Sequence, residues 1–236
     1  MTEMLYLRDC YLREFEAEIN DVEGNSAELS KTAFYPEGGG QPSDEGILRF
    51  KGKNFEVLKV RKKKSRILHE LSETPPSIGG KVECELNWDL RYAHMRHHTA
   101  LHILSKVVYD EFGASITGNQ IHSDRARMDF AHERWDPEKL DLVQERANEI
   151  VEKGIPIKIH ILEREEALKI VDPKRTRIDM IPSFVKEIRL IEIEGLDMEA
   201  CGGTHLKNTK KVGKLKITRY VNKGKNNKRL EIALKR

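Results

Sequence analysis

Cysteine is scarce in this chain: there are three in 236 residues, Cys10, Cys84 and Cys201. An odd count in a chain of this length does not read as a disulfide framework. Cys10 and Cys84 fall in strand-like runs and are expected as buried thiols. Cys201 lies among glycines, close to a histidine. No apolar run approaches the roughly 20 residues of a spanning helix. The N-terminus, MTEMLYLRDC, carries acids early and has no apolar signal core. These absences predict a cytoplasmic protein that does not enter a membrane, and no segment calls for an obligate protein partner. Internal repeats and long low-complexity segments are also missing, and strands and helices do not alternate as βαβ units.

What is present is charge. Asp, Glu, Lys and Arg make up 34% of the chain against 38% hydrophobic residues, enough for one large or two modest folded domains. The net charge of +3 hides an asymmetry: residues 207–236 hold twelve Lys and Arg and one acid, Glu231. A basic segment on an acidic body suggests a polyanion partner, most simply nucleic acid, or else a solvated face. A second basic run, 59–66 (KVRKKKSR), adds weight to RNA or DNA. The Lys and Glu content is also compatible with adaptation to heat.

Residues 1–87 read as a small β-barrel, with strands near 15–19, 47–50, 55–60 and 82–86 and a turn at 21–25. The boundary falls near Asn87, leaving residues 88–236 as a second domain. There a largely buried helix is predicted from an Asp89 N-cap to Gly113. A second helix runs from an Asp136 cap to Gly154. A strand at 155–162, a short helix at 163–170 and a strand at 185–193 follow. A hairpin pairs 215–221 with 230–234 around Gly224-Lys225-Asn226-Asn227. The whole is α+β, a barrel followed by a domain with an antiparallel sheet.

His98 and His102 are four apart on the first predicted helix, so both project from one face and can share a metal. Position 99 is Thr, so the pair is not the HExxH of a zinc protease. Cys201 and His205 bracket two glycines whose tight turn can aim both side chains at one point. Together the pairs offer one sulfur and three nitrogens, an ordinary tetrahedral zinc set. The segment from Thr32 to Pro42 is glycine-rich at Gly38-Gly39-Gly40-Gln41. Its amides could cradle a phosphate or an oxyanion, or it is a barrel loop needing positive φ angles. No Lys-Ser/Thr follows, so it is not a P-loop. No Ser-His-Asp set is evident, and no glutamate stands out as a general base.

Four motifs occur in order: Phe34-Tyr35-Pro36-Glu37-Gly38-Gly39-Gly40-Gln41-Pro42, His98-Thr99-Ala100-Leu101-His102, Arg127-Met128-Asp129-Phe130 and Cys201-Gly202-Gly203-Thr204-His205. The ordered set resembles the editing region of alanyl-tRNA synthetase, and most closely the free-standing AlaX proteins. The stretch 175–182, with Glu194-Gly195 ahead of the cysteine, resembles the medium-length AlaX type. The resemblance implies the editing-domain fold common to alanyl- and threonyl-tRNA synthetases. It implies hydrolysis, in trans, of tRNA(Ala) mischarged with serine or glycine. It implies one zinc ion per chain on His98, His102, Cys201 and His205, with Gln120 at the editing site and Thr32 suited to a serine hydroxyl. Gly38, Gly39, Gly40 and Gln41, with Lys214, Lys216 and Arg219, are then the candidates for substrate and RNA contact. Two competing readings stay open: a zinc-stabilised tRNA-binding module without hydrolysis, and a metallohydrolase of small esters.

Overall fold

The structure, a computed structural model, describes residues 2–176, 178 and 181–235. It falls into two compact units, Met1–His94 and Met95–Arg236.

The first unit contains β1 (Glu3–Met4), β2 (Glu14–Glu23), β3 (Ser26–Leu29), β4 (Lys31–Thr32), β5 (Gly46–Phe50), β6 (Lys53–Lys63), β7 (Arg66–Leu71) and β8 (Lys81–Leu86). Six of them close a barrel in the order β2-β3-β7-β6-β5-β8, as the strand pattern anticipates. Strand β8 shows why: Val82, Cys84 and Leu86 point into the core while Lys81 and Glu83 face water. Ile19, Leu29, Leu48, Val57 and Leu71 fill the same core. In β6 a bulge between Val57 and Lys59 breaks the alternation, which leaves Leu58 exposed and returns Val60 to the core.

Several expectations need correction here. Residues 21–25 are not all turn: β2 runs on to Glu23, and the reversal is confined to Gly24 (φ 58°) and Asn25. The acids in that stretch are held from across the sheet, since Arg66 pairs with Asp21 at 2.5 Å and with Glu23 at 3.4 Å. Cys10 is buried but sits in a turn after a short 3-10 helix, Leu5–Leu7, rather than in a strand. The basic run 59–66 forms the β6–β7 hairpin, and acids of the same unit neutralise much of it. Lys59 pairs with Glu37 at 2.6 Å, Arg61 with Glu70 and Lys63 with Glu23.

Helix α1 (Trp88–Phe112) carries the residues that follow the barrel. Asn87, not Asp89, caps it: the Leu90 amide donates to Asn87 Oδ1 at 3.3 Å, and Asp89 lies in the first turn. Gly113 closes it in the left-handed region, φ 62°. Next come β9 (Ile116–Ile121), β10 (Ala126–Phe130), α2 (Pro137–Lys153), β11 (Ile157–Glu163), α3 (Arg164–Ile170), β12 (Glu187–Ile193), β13 (Asp197–Ala200), β14 (Lys214–Asn222) and β15 (Lys228–Lys235). Two antiparallel sheets result, β14-β15-β10-β9 and β11-β12-β13. The expected α+β architecture is present.

Helix α2 has the expected ends, with Asp136 Oδ1 accepting from the Glu138 amide and Gly154 left-handed. It also shields the edge strand β14. Asn148 bonds both Leu215 N and Leu215 O, and Gln144 accepts from Ile217 N at 2.8 Å. The strand expected at 155–162 starts at Ile157, because Ile155 N is taken by Thr209 Oγ1. The strand expected at 185–193 starts at Glu187, because Val185 N closes a turn onto Pro182 O. Within the 175–182 stretch, Arg177, Asp179 and Met180 lie outside the described residues. Among the described residues, no helix is long and apolar enough to cross a membrane.

Candidate metal centre and surrounding residues

One face of α1 presents His98 and His102, and the loop after β13 presents Cys201 and His205. Their ligand atoms all lie within 4.8 Å of one another. Cys201 Sγ is 3.5 Å from His98 Nε2 and 3.3 Å from His205 Nε2. Both pairs expected from the spacing therefore meet at one point. Arg189 of β12 shapes the loop by donating to the carbonyls of Cys201 and of Gly203, the latter at 2.9 Å. The Gly203 amide points back to Cys201 Sγ at 3.4 Å.

The electrostatics suit a cation. Burial, with the Arg189 charge nearby, pushes His98 down to about 3. Burial and the neighbouring His98 and His102 hold His205 well below the ordinary imidazole range. Both rings are thus neutral and carry a lone pair. Burial alone would raise the Cys201 thiol, but the hydrogen bond and charge of His102, the Arg189 charge and the Gly203 amide together bring it below its ordinary value. Three imidazoles and an acidified thiol form a donor set that a zinc-type divalent ion fits.

The far nitrogens of two rings are held. His102 Nδ1 is 3.3 Å from Glu199 Oε2, and His205 Nδ1 is 3.3 Å from Thr99 Oγ1, which also accepts from the Leu206 amide. Such partners choose which nitrogen faces a metal. Glu199 is itself gripped by Arg175, which also binds Asp197 at 2.5 Å and Ser105 Oγ at 3.2 Å. Thr99, Glu199, Arg189 and Arg175 were not singled out from sequence for these roles. Thr99 carried a weak signal, since it replaces the glutamate of HExxH beside a ligand.

Gln120 lies on β9 opposite Arg127 of β10. Arg127 Nε and Nη2 donate to Gln120 Oε1 at 2.9 and 2.7 Å. Because a guanidinium only donates, the carboxamide oxygen must face it, and the Gln120 NH₂ is left to donate elsewhere. Arg229 holds Asp129 bidentately at 2.6 and 2.8 Å in the next row of the same sheet. A cavity of about 360 Å³ opens here, lined by Gln120, His122, Arg125, Arg127, Arg229 and Glu231. Lys214, Lys216 and Arg219 are exposed on β14, and Arg219 reaches Glu231 only at 4.0 Å.

Thr32 and the glycine-rich loop belong to the Met1–His94 unit. Thr32 is fully buried at the end of β4. In the loop, Gly38 and Gln41 exchange backbone bonds of 3.1 and 2.9 Å, and Gly39 and Gly40 have φ of 58° and 82°. Two of the four loop amides are therefore used inside the turn. A larger cavity of about 860 Å³ on the barrel wall is lined by Glu16, Glu18, Lys31, Arg49 and Lys81 among others. Its mixed charges hold no ligand set comparable to the histidine–cysteine cluster.

Comparison with known proteins agrees with this geometry. A family described as the threonyl and alanyl tRNA synthetase second additional domain matches residues 188–231. One described as tRNA synthetases class II (A) matches residues 4–90. The alanyl-tRNA editing protein AlaX-M of Methanosarcina mazei is 44% identical, over 99% of this chain and 97% of its own length. The AlaX-M of Saccharolobus solfataricus is 41% identical over the whole of both chains. The alanine–tRNA ligase of Thermococcus kodakarensis is 38% identical over 92% of this chain but only 24% of the ligase. Matched end to end by free-standing relatives at this identity, the chain belongs to the AlaX-M family of alanyl-tRNA editing proteins.

Proposed function

We propose that this protein is a zinc-dependent deacylase that acts in trans, in the cytoplasm, on tRNA(Ala) mischarged with serine and, less readily, glycine. The observation that carries the reading is the meeting of His98, His102, Cys201 and His205 within 4.8 Å in a chain of this family. These four residues would hold one zinc ion, which when bound supplies positive charge to polarise the ester carbonyl or to anchor the substrate amine.

The rest falls to the chain itself. An aminoacyl ester is already activated, so its hydrolysis asks mainly for a positioned water and a polarised carbonyl. Gln120, with its oxygen fixed by Arg127, offers its NH₂ as a donor to the ester or the terminal ribose. Thr32 reads the serine hydroxyl, and the Gly38-Gly39-Gly40-Gln41 loop lies against the substrate end of the RNA. Lys214, Lys216 and Arg219 supply phosphate contacts along β14.

The test is direct. Zinc-loaded protein is mixed with seryl-, glycyl- and alanyl-tRNA(Ala), and ester loss is followed. Serine should be released fastest and alanine spared. Retention of tRNA with no ester released would overturn the deacylase reading in favour of a zinc-stabilised binding module. Release of small amino acid esters without any RNA dependence would favour a general metallohydrolase.

A further inference from the structure

Thr32 Oγ1 lies 2.8 Å from His69 Nε2, and the Phe34 amide donates to the same oxygen at 3.1 Å. His69, on β7, is also fully buried, with its other ring nitrogen, Nδ1, 3.1 Å from the Ala27 carbonyl oxygen. A carbonyl oxygen can only accept, so Nδ1 must carry a hydrogen. Burial holds the ring down to about 4, with the Ala27 carbonyl opposing, so at neutral pH it carries only that one hydrogen. Nε2 is then a bare lone pair, and the Thr32 hydroxyl must donate to it.

That settles the valences of Thr32 Oγ1. Its one hydrogen goes to His69, and one lone pair takes the Phe34 amide. What remains is a single lone pair, able to accept and unable to donate.

We propose that His69 is a positioning residue that fixes the direction of the Thr32 hydroxyl, making Thr32 a pure acceptor that favours serine over glycine. The proposal rests on the reading of Thr32 given above and adds the polarity of the contact. A serine side chain brings the hydrogen that this lone pair lacks. A glycine brings nothing, and the methyl of alanine would cover the lone pair without a bond, which a buried polar atom resists. Without His69 the Thr32 hydrogen would be free to rotate into the ligand's place, and the preference would blur.

Two measurements on the whole, zinc-loaded protein test this. Long-range ¹H–¹⁵N correlation spectra at neutral pH should show His69 protonated at Nδ1 alone. Protonation at Nε2 would overturn the proposal whatever the kinetics show. The second measurement is the serine-to-glycine ratio of kcat/KM on tRNA(Ala). Thr32→Val and His69→Phe should each lower it about tenfold, the worth of one neutral hydrogen bond. The double variant should lose no more than either. His69→Gln, whose carboxamide oxygen can accept from Thr32, should restore much of the ratio, a rescue that a purely structural role would not show. If Thr32→Val lowers the ratio and a folded His69→Phe does not, His69 loses its role while Thr32 keeps its own. If Thr32→Val itself leaves the ratio unchanged, the reading of Thr32 falls, and the proposal with it. Should His69→Phe fail to fold, the His69→Gln ratio and the spectra of the unaltered protein still decide.

Discussion

Arg91 with Asp44, in the Met1–His94 unit, and the histidine–cysteine cluster, in the Met95–Arg236 unit, are both polar groups taken out of water. They differ in what faces what. Arg91 is fully buried and spends its donors on Asp44, on the Cys10 carbonyl at 2.9 Å and on the Ala33 carbonyl at 2.5 Å. Asp44 accepts in addition from the Tyr35 amide at 2.6 Å. Donors meet acceptors throughout, and the constellation needs nothing more. In the cluster, His98 Nε2 and His205 Nε2 both crowd the sulfur of Cys201, at 3.5 and 3.3 Å, so metal-ligand atoms converge on one point. Burying such a set is costly unless a cation completes it. The first arrangement is the grammar of a structural knot, the second of a site.

Five experiments would break or sharpen that contrast. The largest effect is expected from Cys201→Ala, which should abolish zinc retention and seryl-tRNA hydrolysis together. Stripping the metal from the unaltered protein should likewise speed amide exchange around residues 201–205 and leave β2 to β8 slow. An equal response in the barrel would erase the distinction between the two constellations. Next comes Asp44→Ala, which strands a buried guanidinium and should cost about 3–5 kcal/mol in urea unfolding. Zinc content should stay at one per chain.

Acid should then separate the two kinds of buried histidine. The folded His69 titrates near 4, below the ordinary 6.5, so the unfolded chain takes up the proton first. Stability from this residue is complete above pH 6.5 and drains away as the pH falls to about 4, by ~3 kcal/mol in all. Unfolding midpoints followed through β7 should show that slope, and His69→Gln should flatten it. The smallest effect is expected from Glu199→Gln, which keeps the shape and replaces the carboxyl behind His102 with a carboxamide. Zinc affinity, measured by competition with a chromophoric chelator, should fall by about 10–100-fold. No change would mean that Glu199 answers to Arg175 alone.

How much of this was legible in the chain depends on the reach of each interaction. Helix α2 could be read from its own residues, since Asp136 and Gly154 are local signals. The four candidate ligands were legible because Cys and His are rare enough for two spaced pairs to stand out. Strands β1, β3, β4 and β7 of the first unit and β9, β10 and β13 of the second were missed. In β9, Gly118, Asn119 and Gln120 give no alternation, and the strand exists because β10 pairs with it. The Asp89 cap lost to Asn87 by two residues, a matter of which side chain meets the first free amide. The 59–66 run looked like an RNA contact because its compensating acids, Glu23, Glu37 and Glu70, are brought there only by the folded barrel. Arg91 with Asp44, Thr99 with His205 and His69 with Thr32 are each pairs far apart along the chain. No local pattern announces them.

Strand β15 sits between β14 and β10, so it is an interior strand of its sheet although it is made after both. During synthesis, all four candidate ligands emerge while the sheet still has a gap where residues 228–235 belong. Until those residues clear the ribosome, β10 offers an open edge to any passing strand. Shortening the chain by a few residues at that point would therefore do more than trim a tail. It would leave a nascent protein that holds its ligands and has nowhere to close, a natural client for chaperones.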